Sequence, residues 1–169
     1  MAGATVDHGD ADDEPLRAWS RLVAVYQSVL HDVVRVLEHD GGLDSGVYSA
    51  LAYLARSEPP GRIRLSELQD LMHPRYSQPG LSRLVQRMEA DGLVTRRADP
   101  DDGRATILTL TRAGKTRFTR ANAVYTKALR DHFGCHLTTA EAQALAGALE
   151  PVVRGRAIER AASRTVREE

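Results

Sequence analysis

Residues 77–97 have the sequence SQPGLSRLVQRMEADGLVTRR, and residues 99–110 have the sequence DPDDGRATILTL. In the first stretch, apolar residues recur at three- and four-residue steps, which is typical of an amphipathic helix. Ser77 stands at the N-cap position and Pro79 in the first turn, where its missing N–H costs nothing, and Gly92 is the expected stop. The β-rich runs on either side of the Asp-Pro-Asp-Asp-Gly turn predict a hairpin directly after this helix.

The sequence before residue 77 also contains apolar residues at helical spacing. It predicts a long amphipathic helix that breaks at the Gly-Gly pair of residues 41–42, and a second helix that ends before Pro59. A third short helix is expected from Ser66, whose hydroxyl can cap it, to Met72, where the following His-Pro pair stops it.

Two further helices are predicted after the hairpin. Thr111 can cap the first, which is expected to end near Phe133, and the Thr-Thr-Ala-Glu sequence of residues 138–141 is a capping box that opens the second. Pro151 should kink this last helix or end it early. The predicted fold class is therefore mainly α with a small β-hairpin (α+β).

The composition is that of an ordinary globular chain, with 42% hydrophobic, 27% charged and 5% aromatic residues in a length of 169. No apolar run approaches the ~18–20 residues that cross a bilayer, and the N-terminus lacks the basic and apolar regions of a secretory signal. A single cysteine, Cys135, excludes an intrachain disulfide. These features predict a cytoplasmic protein without membrane partners.

The formal net charge is zero, but the charge is unevenly distributed. Residues 1–14 contain five acidic and no basic side chains, and this aperiodic leader is predicted to be disordered. Residues 62–120 contain 12 basic against 7 acidic side chains. A local basic excess is typical of a nucleic-acid surface, although a solvated helix face has the same pattern.

Two short helices, the second with a polar outer face, followed by a charged hairpin form the layout of a winged helix–turn–helix. A helix fits the ~12 Å major groove and its first turns present side chains to base edges. Gln78 suits adenine, while Arg83 and Arg87 suit guanine or phosphate. Gly80 and Ser82 have small side chains, so the backbone of this helix can approach the DNA closely.

The hairpin and the turn supply the remaining predicted contacts. Arg97 and Arg104 would lie beside a narrow minor groove, whose potential attracts guanidinium groups. Arg75, between the two short helices, is placed for a phosphate, and the helix N-terminus at Ser77 can offer backbone N–H groups to another.

At this point the sequence resembles the MarR family of transcription regulators. The resemblance spans about residues 15–150 in element order and is tightest over 65–114. It implies an obligate homodimer, in which the first helix and the last two helices interleave, and a pseudo-palindromic DNA site. It also implies a ligand or redox signal that releases the DNA. The stretches that carry the resemblance are 68–72, 77–94, 99–105 and 108–114.

Individual positions match the family's motifs. Asp102 and Arg104 match its wing acid and wing arginine, and the resemblance implies that the acid orients the arginine. This sequence departs from the family at Gly103, where many members have a second cation, and in the 72–76 turn, which is about two residues longer. The full set of predicted DNA-contacting residues is Ser66, Arg75, Ser77, Gln78, Pro79, Gly80, Ser82, Arg83, Arg87, Arg97, Asp102 and Arg104.

With this resemblance, residues 43–114 are assigned to a winged helix–turn–helix DNA-binding domain, and residues 15–42 and 115–165 to a helical dimerisation region. The predicted function is a sequence-specific, homodimeric DNA-binding regulator, a repressor released by a small-molecule effector, without a cofactor. A winged helix used only for protein contact is the alternative, although such modules tend to lose the cations kept here. Catalysis is not predicted, because no nucleophile–base pair, paired carboxylates or phosphate-binding glycine loop is present.

The resemblance implies an effector cleft near the first two helices, between the dimerisation and DNA-binding parts, and a polar tip beside apolar walls suits a phenolic or carboxylate ligand there. His31 and Tyr48 are the better candidates, whereas Trp19 and Tyr26 also fit a dimer core. The predicted pocket residues are Trp19, His31, Tyr48 and Tyr53.

His132, Cys135 and His136 have a spacing that occurs in metal and redox sites. Gly134 is expected to end a helix between them, so the favoured interpretation is a corner between helices with Cys135 as a packed residue. No metal is predicted, and a zinc- or redox-responsive regulator remains the alternative.

Overall fold

The structure is a computed structural model that describes residues 13–168, with side-chain surroundings given as far as residue 155. The N-terminal part of the predicted leader, residues 1–12, lies outside the described residues; Asp13 caps the first helix, which starts at Glu14. The elements in chain order are α1 Glu14–His39, α2 Ser45–Arg56, β1 Arg62–Arg64, α3 Leu65–Met72, α4 Gln78–Ala90, β2 Val94–Ala98, β3 Thr106–Leu110, α5 Arg112–His132, a 3₁₀ turn Gly134–His136 and α6 Thr139–Glu168.

The chain divides into two compact units, residues 1–128 and 129–169. In the first unit, α2, α3 and α4 pack together with the sheet around a core of fully buried side chains. Its largest members are Leu37, Leu51, Leu54, Leu68, Leu81, Met88 and Leu108. These are the apolar positions of the sequence periodicity, so burial of one face of each helix accounts for the packing.

The sheet has three antiparallel strands in the order β1-β3-β2. The predicted hairpin, here called the wing, is β2 and β3 with their connecting turn, in a register that places Arg97 opposite Ile107. β1 was not predicted as a strand; it pairs Ile63 with Leu108 on the other edge of β3. β1 has only three residues, and an alternation of polar and apolar residues over so short a stretch does not identify a strand.

Two predictions about helix ends are corrected. α3 begins at Leu65 with Arg64 as its N-cap residue, so Ser66 lies exposed in the first turn and does not cap the helix. Arg64 takes this position because it ends β1 in an extended conformation, and its N–H donates to Glu67 Oε2 (3.3 Å).

Pro151 does not end the last helix early, because α6 continues from Thr139 to Glu168. Proline removes one backbone hydrogen bond, and the turns on either side remain helical. In this second unit the predicted capping box is confirmed: Thr138 N–H donates to Glu141 Oε2 (2.8 Å), and Glu141 N–H donates to Thr138 Oγ1 (3.3 Å). Across residues 13–168, none of the helices combines the length and apolar character that crossing a membrane needs.

Candidate nucleic-acid interface

The start and end of α4 are determined by local sequence. Ser77 is the N-cap residue, and its Oγ accepts a hydrogen bond from Gly80 N–H (3.3 Å). Pro79 lies in the first turn, and Gly92 adopts a positive φ of 68° just beyond the helix, a conformation that favours glycine. Both predicted ends are confirmed.

α4 has two distinct faces. Leu81, Leu84, Val85 and Met88 are buried in the core and hold the helix in place. The opposite side, here called the outer face of α4, is exposed and consists of Gln78, Ser82, Arg83, Gln86 and Arg87. The outer face therefore contributes no side chain to the hydrophobic core, and its polar groups are exposed to solvent.

The two arginines of the outer face differ in their surroundings. Arg87 Nη2 lies 3.4 Å from Asp44 Oδ1, and both side chains are about half exposed. Asp44 is the N-cap of α2, and the same oxygen accepts hydrogen bonds from Gly46 N–H (2.9 Å) and Val47 N–H (3.2 Å). Arg83 makes no ion pair with any residue that the structure describes.

The turn between α3 and α4 is anchored at several points. Gln69 Nε2 donates to Tyr76 O (2.9 Å), and a Cβ at Gly46 would collide with the Tyr76 hydroxyl, so Tyr76 packs closely against α2. The Arg75 guanidinium lies 6.0 Å from the centre of the Tyr76 ring and donates to Ser45 Oγ (2.8 Å). This turn thus places Arg75 at the start of α2.

Asp99 organises the base of the wing. Its side chain is only 4% exposed, and Oδ2 accepts from Arg64 Nε (2.8 Å), with Arg64 Nη2 at 2.7 Å. Oδ1 accepts from Asp101 N–H (3.1 Å), and Asp99 N–H donates to Ala105 O (2.9 Å). The N–H of Asp101 and, after it, the Arg64 guanidinium lower the pKa of Asp99 below its usual range, which keeps it ionised.

Asp102 orders the tip of the wing through the backbone. Its Oδ1 accepts from Arg104 N–H (3.1 Å), and its carbonyl accepts from Ala105 N–H (2.8 Å). Asp102 thus contacts Arg104 through the backbone amide, and the orientation of the Arg104 guanidinium by Asp102 stays a prediction. The side chains of Arg97 and Arg104 are exposed and make no ion pair within the described part of the chain.

Sequence reasoning missed Arg64, Asp99 and Asp44. Asp99 was identified only as a turn residue, since nothing in the Asp-Pro-Asp-Asp-Gly sequence distinguishes a buried carboxylate from a solvated one. Arg64 lies 35 residues away and belongs to the strand that the sequence did not reveal. An aspartate just before a helical period is a recognisable N-cap signal, and it could have identified Asp44.

The predicted effector residues lie in different environments. Tyr48 is buried, and its hydroxyl donates to Asn122 Oδ1 (2.8 Å). Its ring lies 4.7 Å from the centre of Tyr125 and 5.7 Å from that of Phe118, and burial raises its pKa to about 12. Tyr53 is partly buried against the same core.

The other two predicted pocket residues lie on α1. Trp19 is 63% exposed. His31 borders an open depression whose lining comes from α1 alone and does not include Tyr48: His31, Val34, Arg35, Glu38 and His39.

The predicted corner at residues 132–136 is a 3₁₀ turn, Gly134–His136. The prediction that Cys135 is a packed residue is wrong, because its side chain is exposed, with Sγ donating to the carbonyl oxygen of Asp131 (3.0 Å). Among the described residues, no three His, Cys, Asp or Glu side chains are arranged to hold a metal ion.

Comparison of the sequence with family models and comparison of the structure with solved structures both find similarity to the MarR family. The MarR family model matches residues 41–105, which include α2, α3, α4 and most of the wing. No curated protein sequence matches the chain.

The fold is similar to those of solved MarR-family structures. AbsC, a MarR family transcriptional regulator from Streptomyces coelicolor, is 25% identical with a TM-score of 0.69, over 92% of this chain and 97% of that chain. Sco3205, from the same organism and crystallised in complex with DNA, is 26% identical with a TM-score of 0.69, over 85% and 91%. A mutant MarR from E. coli with operator DNA is 19% identical with a TM-score of 0.65, over 85% and 98%.

The family model covers the helix–turn–helix and most of the wing, and the solved structures of AbsC and Sco3205 align with 92% and 85% of the chain. Residues 41–105 thus match the MarR family, and the chain has a winged-helix fold similar to that of solved MarR-family transcriptional regulators.

Proposed function

We propose that this chain is a sequence-specific double-stranded DNA-binding regulator that acts as a homodimeric repressor and is released by a small-molecule effector. The observation that carries the proposal is the arrangement of exposed cations. The outer face of α4 presents Arg83 and Arg87, and the neighbouring wing presents Arg97 and Arg104, while the opposite faces of both elements build the core.

This arrangement matches the two grooves of B-DNA. α4 would enter the major groove, with Gln78 and Arg83 in its first two turns at base edges. The wing would carry Arg97 and Arg104 to the adjacent minor groove, where a negative potential favours guanidinium groups. Likeness to Sco3205, which was crystallised with DNA, supports this mode of binding.

The proposed homodimer rests on unpartnered apolar side chains on α1. Trp19 is 63% exposed, Tyr26 60% and Leu16 53%, and they recur at helical spacing along one stripe. Exposed side chains of this size on neighbouring turns indicate an interface, because their burial in a second copy stabilises association. In the second unit, Val152 and Val153 of α6 are similarly exposed at 60% and 63%. We assign residues 43–114 to DNA binding, and residues 15–42 and 115–165 to dimerisation.

A dimer with two winged lobes fits a pseudo-palindromic operator, because the symmetry of the protein is mirrored in its site. Bound at a promoter, such a dimer blocks polymerase without further parts, which favours repression over activation. An effector would act by changing the separation of the lobes; His31 and Tyr48 are the residues that we assign to its binding region.

Selection of bound duplexes from a random pool, with the purified protein and sequencing of the bound fraction, tests the proposal. We expect enrichment of an inverted repeat whose half-sites lie about one helical turn apart. Light scattering on the same sample should give twice the mass of one chain, and transcription from a promoter carrying the enriched site should fall when the protein is added. A folded protein that enriches no sequence at low salt would overturn DNA binding and favour a protein-interaction module.

A further inference from the structure

The Arg64–Asp99 ion pair connects parts of the fold that lie on opposite edges of the sheet. Arg64 ends β1 and is the N-cap residue of α3, whereas Asp99 directly follows β2. β3 lies between these strands, and its Ile107 pairs with Arg64 on one side and with Arg97 on the other. The ion pair therefore spans β3 at the end of the sheet from which the wing turn projects.

The wing turn is already closed without Arg64. Asp99 N–H bonds to Ala105 O, Asp101 N–H bonds to the Asp99 carboxylate, and Asp102 bonds to the Arg104 amide. Two contacts from Arg64, at 2.7 and 2.8 Å, add a connection from this closed turn to the start of α3. What Arg64 contributes is thus the direction of the wing relative to the helix–turn–helix.

The two ends of the connection have different exposure. The Asp99 side chain is 4% exposed and the Arg64 side chain 47%. A charge-assisted hydrogen bond to a buried carboxylate has a narrow geometry, so it limits the rotation of the turn. Arg97 lies in β2 just before this turn and Arg104 lies within it, so a change in the direction of the turn would displace both.

We propose that the Arg64–Asp99 pair positions the wing so that Arg97 and Arg104 enter the minor groove, and thereby sets the preference for the bases that flank those read by α4. This inference rests on the proposed DNA-binding function. Because A·T-rich minor grooves are narrow and attract arginine most strongly, a correctly directed wing favours A·T flanks.

The test measures the affinity of the full-length protein for two duplexes that share the selected core and differ in A·T or G·C flanks. For Arg64→Gln we expect about tenfold weaker binding to the A·T-flanked duplex, as for loss of one good contact, and a smaller loss with G·C flanks. The slope of log affinity against log salt should become shallower by about one, because a cation leaves the DNA. The core sequence preference should be unchanged.

Arg96→Gln is the matched control, because it also removes an arginine–carboxylate pair next to the wing. Arg96 Nη2 lies 2.6 Å from Glu89 Oε2, but this pair joins β2 to α4 and does not involve the wing turn. Asp99→Asn is the second variant, with a similar shape and no charge. Circular dichroism should show that each variant is folded. If Asp99→Asn does not fold, Arg64→Gln alone tests the inference, because substitution of the half-exposed Arg64 side chain leaves the core intact.

A double-mutant cycle separates positioning from stabilisation. If Arg64 acts through the wing arginines, Arg64→Gln should weaken binding less than twofold in a protein that already carries Arg97→Ala and Arg104→Ala. A full tenfold loss in that background, or an equal loss with both flanks, would overturn the inference. A wild-type protein that binds neither duplex would instead refute the proposed function.

Discussion

Asp44 Oδ1 accepts hydrogen bonds from two backbone N–H groups at the start of α2 and also lies 3.4 Å from Arg87 Nη2 on α4. One carboxylate oxygen therefore both caps a helix and pairs with an arginine on the outer face of α4. If this face binds DNA as proposed, Asp44 would compete with a DNA phosphate for Arg87.

Asp44→Asn should strengthen DNA binding by about two- to fivefold, because an exposed ion pair contributes ~0–1 kcal/mol and its loss releases Arg87. Asparagine is as good an N-cap as aspartate, so α2 should keep its stability. The slope of log affinity against log salt should steepen by about 0.9 for one additional phosphate contact. Fluorescence anisotropy over a salt series measures both quantities.

Arg87→Gln in the Asp44→Asn background is the matched comparison, and it should remove the gain in affinity and in slope. If Asp44→Asn weakens binding, the carboxylate orients Arg87 for DNA and does not compete with it.

Arg83→Ala should weaken binding to the selected operator by roughly 1–3 kcal/mol and relax the preference at one position in each half-site. The reason is that Arg83 is exposed on the outer face of α4 without an ion pair among the described residues, so its guanidinium is available to a base edge. Repeating the random-pool selection with the variant measures the change of preference. Arg120→Ala, at an exposed position of α5, is the control and should leave the base preference intact. If Arg83→Ala weakens binding to every duplex equally, Arg83 contacts a phosphate and does not read a base.

Tyr26→Glu should weaken the homodimer, because it places a charge within the exposed apolar stripe of α1. We expect light scattering at micromolar protein to show the mass of one chain for the variant, and DNA affinity to fall with the loss of the second lobe. Ala24→Glu adds the same charge at an exposed position of α1 outside the stripe and should remain dimeric. A Tyr26→Glu protein that stays dimeric would exclude this stripe as the interface.

Tyr48 should keep its proton to higher pH than an ordinary tyrosine, because burial raises its pKa to about 12 from 10.0. The unfolded chain loses this proton near pH 10, whereas the folded protein holds it until about pH 12. The free energy of unfolding should therefore fall as pH rises through this range, since the unfolded state binds fewer protons there. Absorbance at the tyrosinate band should show a late-titrating group in the wild type.

Tyr48→Phe should remove that late group and, by deleting the hydrogen bond to Asn122, destabilise the fold by roughly 0.5–1.5 kcal/mol. A late titration that persists in Tyr48→Phe would assign it to Tyr125, whose pKa burial also raises.

Local signals in the sequence predicted α4 and the wing well. Ser77, Pro79 and Gly92 act on their own backbone and on that of the next few residues, so their effect does not depend on distant contacts. The apolar periodicity that identified Leu81 and Met88 as buried is equally local. Resemblance to a known family added the prediction that Asp102 orients the Arg104 side chain; the structure shows a hydrogen bond from the Arg104 amide to Asp102, and the orientation of the side chain stays a prediction.

Features that depend on distant residues were not predictable from one sequence. The Arg64–Asp99 pair joins residues 35 positions apart. It also depends on β1, a strand of three residues that is too short for an alternating pattern to identify. Arg87 was correctly identified as exposed, but its partner Asp44 lies 43 positions earlier. Tyr48 has a polar tip beside apolar side chains, as the pocket prediction requires, yet Asn122 satisfies its hydroxyl within the core.

The two faces of α4 have a consequence for how such a regulator changes in evolution. The buried leucine, valine and methionine side chains hold the helix, whereas Gln78, Ser82, Arg83 and Gln86 contribute little to the core. Substitutions at these exposed positions therefore have small effects on folding. After gene duplication, a copy can acquire a new operator through a few changes on one helix surface while its scaffold stays the same.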